Sequence, residues 1–218
     1  MYTDLPEEAR SYGGEVRLTP VGTGPSTMDT FDVTFPGFGG EPVKAWLRLP
    51  GTATGSLPAV VQYVGHGGGR GHVLENLLWA SAGYTHLQVD TRGPGLGLEP
   101  GRDLRLRPDR AGPEVPGVMT RGISSPRTYY YRRLLTEAVR AVDAVRRLDR
   151  VAPDRVAVVG QSQGGGTALA VAALVPDLAP RPPRRAAGRA TSESLRTGSA
   201  PSGRTRTSAF RTDADSTR

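Results

Sequence analysis

The chain has 218 residues and no cysteine, which points to one domain with an appendage and excludes a disulfide scaffold, a thiolate metal site and a cysteine nucleophile. The formal net charge is +7, and the nine arginines and three acids of residues 179–218 carry all but one of those charges, so the body of the chain is not a nucleic-acid footprint. No run of about 18 apolar residues offers a membrane span, and the polar, acidic start MYTDLPEEARSYGGEV does not read as a secretory signal, so a cytoplasmic location is expected.

Residues 1–27 read as an N-terminal extension. MDTFDVTF (28–35) alternates in polarity and predicts a strand. VKAWLRLP (43–50) predicts a second, with Val43, Ala45, Leu47 and Leu49 on one face; the PGFGGEP connector makes the two an antiparallel hairpin. PAVVQYVG (58–65) is nearly all apolar, as in a strand buried on both faces. A glycine-rich loop, GHGGGRGH, leads to a predicted helix over 73–83 that ends at Gly83, and YTHLQVD (84–90) predicts another strand. From Thr91 to about Pro126 runs a Gly/Pro/Arg-rich excursion whose length suggests function or an insertion. A helix is expected over 127–150, where Leu135, Val139, Val142, Val145 and Leu148 form one apolar face. DRVAVV (154–159) predicts a strand and GGGTALAVAAL (164–174) a small-residue helix. Alternation of strand and helix from residue 58 onward implies parallel crossovers, hence an α/β layered sheet. The partial domain is expected to span 28–178. Residues 179–218 hold only Leu195 and Phe210 as large apolar side chains and are expected to be a disordered basic tail. Without aromatic interleaving, no specific nucleic-acid partner is expected.

Gly160-Gln161-Ser162-Gln163-Gly164 fits G-x-S-x-G between a predicted strand and a predicted helix. A serine on such a turn holds its hydroxyl exposed, small residues on either side let strand and helix approach, and the helix N-terminus offers backbone N–H groups to an oxyanion. The competing reading is a glycine-rich turn with a capping serine. Gln62-Tyr63-Val64-Gly65 runs into His66-Gly67-Gly68-Gly69-Arg70-Gly71, a loop whose backbone can come close to a second oxyanion donor position; no G-K-[ST] follows to make it a phosphate loop. Asp90-Thr91-Arg92-Gly93-Pro94-Gly95 follows the next strand. Arg92 reads as a structural anchor or a substrate contact. All three motifs fall at carboxyl ends of predicted parallel strands, where α/β sheets place their ligand crevice.

These residues resemble the acetyl xylan esterase/cephalosporin-C deacetylase family of α/β-hydrolases. DVTFPGFGGEPVKAWLRLP, VVQYVGHGGGRG, DTRGPGLG, PGVMTRGISSPRTYYYRRLLTEAVRAVDAV and VVGQSQGGGTALAVAAL carry the resemblance in order over roughly residues 28–175, and PRTYYYRR is more specific than the serine elbow. The resemblance implies an α/β-hydrolase fold, mostly parallel with an N-terminal antiparallel hairpin. It implies deacetylation of small O-acetyl esters, acetylated xylo-oligosaccharides or cephalosporin C. Ser162 would be the nucleophile, and the backbone N–H groups of Tyr63 and Gln163 the oxyanion hole, with Tyr63 also at the substrate. Arg92 would lie in an Arg-Gly-Gln-Gly motif, with Pro94 where Gln is usual. No metal or cofactor is implied; members often form ring-like hexamers.

The fold also implies an acid and a histidine after the nucleophile. The three histidines are His66, His72 and His86, all before Ser162, and the later acids are Asp177, Glu193, Asp213 and Asp215. The expectation is therefore an incomplete fold, truncated or frame-shifted after about residue 176, with its sheet ending at 154–159 and its activity impaired. His66, on the loop expected to face Ser162, is a substitute base only if a third group orients it. The alternative is a catalytically dead remnant or a basic-tail interaction protein.

Overall fold

Hydrophobic alternation in five segments produces most of a six-stranded sheet. The computed structural model describes residues 2–24, 27–90, 120 and 122–178. Its strands are β1 (Arg17–Pro20), β2 (Met28–Pro36), β3 (Pro42–Pro50), β4 (Leu57–Tyr63), β5 (Thr85–Val89) and β6 (Val151–Gly160), and its α-helices are α1 (Leu5–Ser11), α2 (Leu78–Ser81), α3 (Tyr130–Arg146) and α4 (Gln163–Leu174). The strand order is β1-β2-β3-β5-β4-β6. β1–β2, β2–β3 and β3–β5 pair antiparallel, while β4 pairs parallel with both β5 and β6. The sheet is thus mixed, and its antiparallel half is larger than the sequence suggests because residues 17–20 add a strand.

One face of the sheet carries Val43, Ala45, Leu47, Leu49, Ala59, Val61, Leu87 and Val89. These pack in a single core with Leu135, Val139, Val142 and Val145 of α3 and Val171 of α4. The three- and four-residue spacing on α3 places its stripe against the strands, and each of those methyl-bearing side chains contributes roughly 1.5–3 kcal/mol on burial. The N-terminal residues are part of this packing. Leu5 and Ala9 of α1 lie in the core, and Arg132 of α3 pairs with Asp4, at 2.9 Å, and with Glu8.

The opposite face is polar where β3 and β5 meet. Arg48 is fully buried; it donates to the Val73 carbonyl at 2.9 Å, to Gln88 Oε1 at 3.0 Å and to the His72 carbonyl at 3.5 Å. This corrects the helix expected over 73–83. The Val73 carbonyl is taken by the guanidinium at 2.9 Å, the His72 carbonyl accepts the Glu75 N–H at 3.0 Å in a three-residue turn, and Asn76 sits at φ 54°, a left-handed conformation that breaks a helix. Only Leu78–Ser81 remain helical. Among the described residues β6 has β4 as its one neighbour and forms an edge, and Leu169 on α4 is 76% exposed. Arg92, most of the 91–126 excursion and the tail from 179 lie outside the described residues.

Candidate active site

The turn between β6 and α4 is built by small residues meeting backbone. Ser162 stands at the N-cap position of α4 with φ 54° and ψ −122°. That is the conformation of the first central residue of a type II′ turn, normally glycine's, so a serine there is strained. Its side chain makes no capping hydrogen bond, and the residue is exposed. The capping reading of this serine is therefore not what the geometry holds. The glycines flanking it are required by contact. A Cβ added at Gly160 would lie 2.2 Å from the Gly164 carbonyl oxygen, and one at Gly164 would lie 2.2 Å from that of Tyr63 and 2.8 Å from that of Val64. The start of α4 is pressed directly against the end of β4.

The glycine-rich loop after β4 meets the same turn. A Cβ at Gly65 would come within 3.4 Å of the Gln161 carbonyl oxygen and 3.7 Å of Ser162 Cβ. Tyr63 is the last residue of β4, opposite Val89 on one side and Gly160 on the other. Its side chain points into the core, where the hydroxyl donates to the Ala138 carbonyl at 2.8 Å. Burial holds that hydroxyl well above the usual tyrosine range. The loop is fastened further on: Arg70 donates to Asp32 Oδ1 at 2.8 Å and to the Ala45 carbonyl at 3.1 Å, with its guanidinium 3.8 Å from the centre of the Trp46 ring.

Gln163 opens α4, where the first N–H groups have no partner inside the helix. Its side chain is held from α3: Tyr130 Oη donates to Gln163 Oε1 at 3.3 Å, and Gln163 Nε2 donates to Tyr131 Oη at 3.4 Å. The tyrosine run was legible as a resemblance but not as a contact with the serine turn; its one sequence signal is three consecutive aromatic hydroxyls at a helix start.

The titratable groups divide clearly. His66 and His72 are exposed, and His72 Nδ1 accepts the Leu74 N–H at 3.3 Å. His86 is fully buried, with Nε2 2.9 Å from Gln62 Oε1, and its pKa is lowered to about 3 by burial, helped by the Arg48 charge. Asp177 is bound at the surface by Arg146, 3.1 Å away. Among the described residues no group of three or more His, Cys, Asp or Glu is arranged to hold a metal, and no helix is long and apolar enough to cross a membrane.

The family model described as acetyl xylan esterase (AXE1) matches residues 3–183. The chain belongs to the acetyl xylan esterase family. Among solved structures it is similar to the acetyl xylan esterase from Paenibacillus sp. R4, with 34% identity and a TM-score of 0.70 over 81% of this chain and 55% of that one. It is also similar to acetyl xylan esterase 1 from Thermoanaerobacterium sp. JW/SL YS485, with 28% identity and a TM-score of 0.70 over 81% of this chain and 54% of that one. The chain spans about half the length of these family members. Its mixed sheet with flanking helices is the α/β-hydrolase fold of those esterases.

Proposed function

We propose that this chain is a serine carboxylic-ester hydrolase that removes O-acetyl groups from small acetylated saccharides, with cephalosporin C as a second acetyl ester, in the cytoplasm. The observation that carries the reading is the backbone of Ser162. A serine held at φ 54° with an exposed hydroxyl and no capping bond stores strain that a structural cap does not need.

In this reading Ser162 Oγ attacks the acetyl carbonyl carbon. The ester C–O bond then breaks, the alcohol leaves carrying a proton, and water hydrolyses the acetyl-Ser162 intermediate to acetate. The Gln163 N–H is one donor for the oxyanion, since it opens α4 with no partner among the described residues, whereas the next N–H, that of Gly164, donates to the Gln161 carbonyl at 2.9 Å. The second donor comes from the loop beginning at Tyr63. The approach of Gly65 to Ser162 favours an amide of the 64–66 segment over that of Tyr63, which stands within the β4 ladder. No histidine follows Ser162 in this sequence, so turnover is expected to be slow. Losing a triad member costs on the order of 10⁴–10⁶ in kcat, and the oxyanion donors leave a residual rate.

Hydrolysis of p-nitrophenyl acetate by the chain and by Ser162→Ala tests the reading. A rate above the Ser162→Ala background supports it, and equal rates reject it. The nine arginines of residues 179–218 favour a second reading, a basic-tail interaction protein. That reading predicts salt-sensitive binding of DNA or RNA that is lost when residues 179–218 are removed.

A further inference from the structure

The tyrosine run at the head of α3 has no part in the chemistry outlined so far, yet two of its hydroxyls reach the residue next to the serine. Gln163 has one acceptor and one amide donor group on its side chain, and both are engaged from the same helix turn. Tyr130 Oη donates to Oε1 at 3.3 Å, and Tyr131 Oη accepts from Nε2 at 3.4 Å. The tyrosines are themselves fixed. Tyr130 is buried beside Leu134, and the Tyr130 and Tyr131 rings pack edge to face with centroids 5.2 Å apart. Tyr129 lies against Tyr131 at 5.6 Å. With both atoms of its terminal amide bonded to the start of α3, the Gln163 side chain tethers the start of α4 to that helix. The backbone there carries the Gln163 N–H, directly after Ser162.

We propose that Tyr130 and Tyr131 are positioning residues that act through Gln163, holding its backbone amide where the oxyanion forms. The proposal rests on the esterase reading and assigns no contact with substrate to either tyrosine. A preorganised donor contributes because no reorganisation is needed as charge develops. Losing the grip therefore lowers kcat and leaves KM nearly unchanged.

The test is a mutant cycle on p-nitrophenyl acetate hydrolysis by the full chain, using Tyr130→Phe/Tyr131→Phe, Gln163→Ala and the triple variant. Phenylalanine keeps the rings and removes only the hydroxyls, while Gln163→Ala keeps the amide and removes the gripped side chain. The expected result is a fall in kcat of roughly 10-fold in the double variant and in Gln163→Ala, with KM unchanged and no further fall in the triple variant, because the tyrosines act only through Gln163. Multiplicative losses, an unchanged kcat, or a loss confined to KM would overturn the proposal. Wild-type activity equal to Ser162→Ala would instead reject the esterase reading, and this proposal with it. If the double variant unfolds, Tyr131→Phe alone, at a half-buried position, runs the same cycle with the same outcomes.

Discussion

Gly164 of α4 and Tyr63 of β4 touch so closely that a Cβ on the glycine would lie 2.2 Å from the tyrosine carbonyl oxygen. The obstacle is the backbone at the end of β4, paired with β5 and β6 on either side, which cannot swing aside as a side-chain tip would. Gly164→Ala must therefore lift the first turn of α4 away from β4 and carry Ser162 with it. The expected cost is about 2–4 kcal/mol of stability, together with loss of any Ser162-dependent acetyl release, read by denaturant melts and p-nitrophenyl acetate turnover. Gly166, around whose Cβ position there is nothing within 4 Å, is the control. Gly166→Ala lies in the helix and is expected to gain stability of roughly 0.5–1 kcal/mol.

The strain at Ser162 predicts a wider gap between two substitutions than an ordinary N-cap shows. Alanine keeps the Cβ that makes φ 54° and ψ −122° unfavourable; glycine does not. Glycine is already favoured over alanine at an ordinary N-cap by about 1 kcal/mol; the strain adds to this, so Ser162→Gly is expected to be more stable than Ser162→Ala by about 2 kcal/mol. Both variants lose the hydroxyl and the proposed chemistry. Chemical denaturation of the pair measures the gap, and a gap no larger than the ordinary N-cap difference of about 1 kcal/mol would mean that the turn holds no strain.

Much of this arrangement was readable from the chain, and what was not has physical causes. β2 to β6 follow from alternation or from short apolar runs because each packs at least one face on the core. The α3 stripe follows because Leu135, Val139, Val142 and Val145 face one wall. The Ser162 turn was legible because G-x-S-x-G fell between a strand and a helix. β1 was not, because all four of its residues are exposed and its existence depends on backbone pairing with β2 alone. The first part of the expected 73–83 helix failed because buried Arg48, some 25 residues earlier, takes the Val73 carbonyl and Asn76 turns left-handed. The grip of Tyr130 and Tyr131 on Gln163 joins residues 32–33 apart in the chain, a distance over which no local pattern speaks.

His86 gives the fold a defined acid limit. Its Nε2 lies 2.9 Å from Gln62 Oε1, and its buried Nδ1 has no hydrogen-bond partner among the described residues. Burial first, and the Arg48 charge second, lower its pKa from 6.5 to about 3. The unfolded chain therefore binds a proton that the folded chain refuses between about pH 6.5 and 3. Its contribution to stability is complete above pH 6.5 and is lost progressively as the pH falls toward 3. The slope approaches about 1.4 kcal/mol per pH unit well below 6.5. Urea melts at pH 7.5 and pH 5 are expected to differ more for the wild type than for His86→Gln, which has nothing to protonate. Equal differences would place the acid sensitivity in other groups.

Arg70 fastens the loop that approaches Ser162, and its geometry makes a lysine inadequate. One nitrogen serves both Asp32, at 2.8 Å, and the Ala45 carbonyl, at 3.1 Å, while the guanidinium plane lies 3.8 Å from the Trp46 ring centre. Its own backbone N–H donates to Asp90 Oδ1 at 3.3 Å. A compact ammonium on a flexible stem cannot stack on the indole and reach both oxygens together. Arg70→Lys is expected to cost about 1–2 kcal/mol and Arg70→Ala about 3 kcal/mol, the larger figure because Asp32 and the Ala45 carbonyl both lose this donor. Since the loop passes Ser162 at Gly65, acetyl release is expected to fall further in Arg70→Ala than in Arg70→Lys. Trp46, whose Nε1 donates to the Gly71 carbonyl at 3.0 Å, reports the loop directly. In a Trp79→Phe background its fluorescence should shift to the red when Arg70 is replaced, and an unshifted spectrum alongside unchanged activity would show that the loop keeps its place without the arginine.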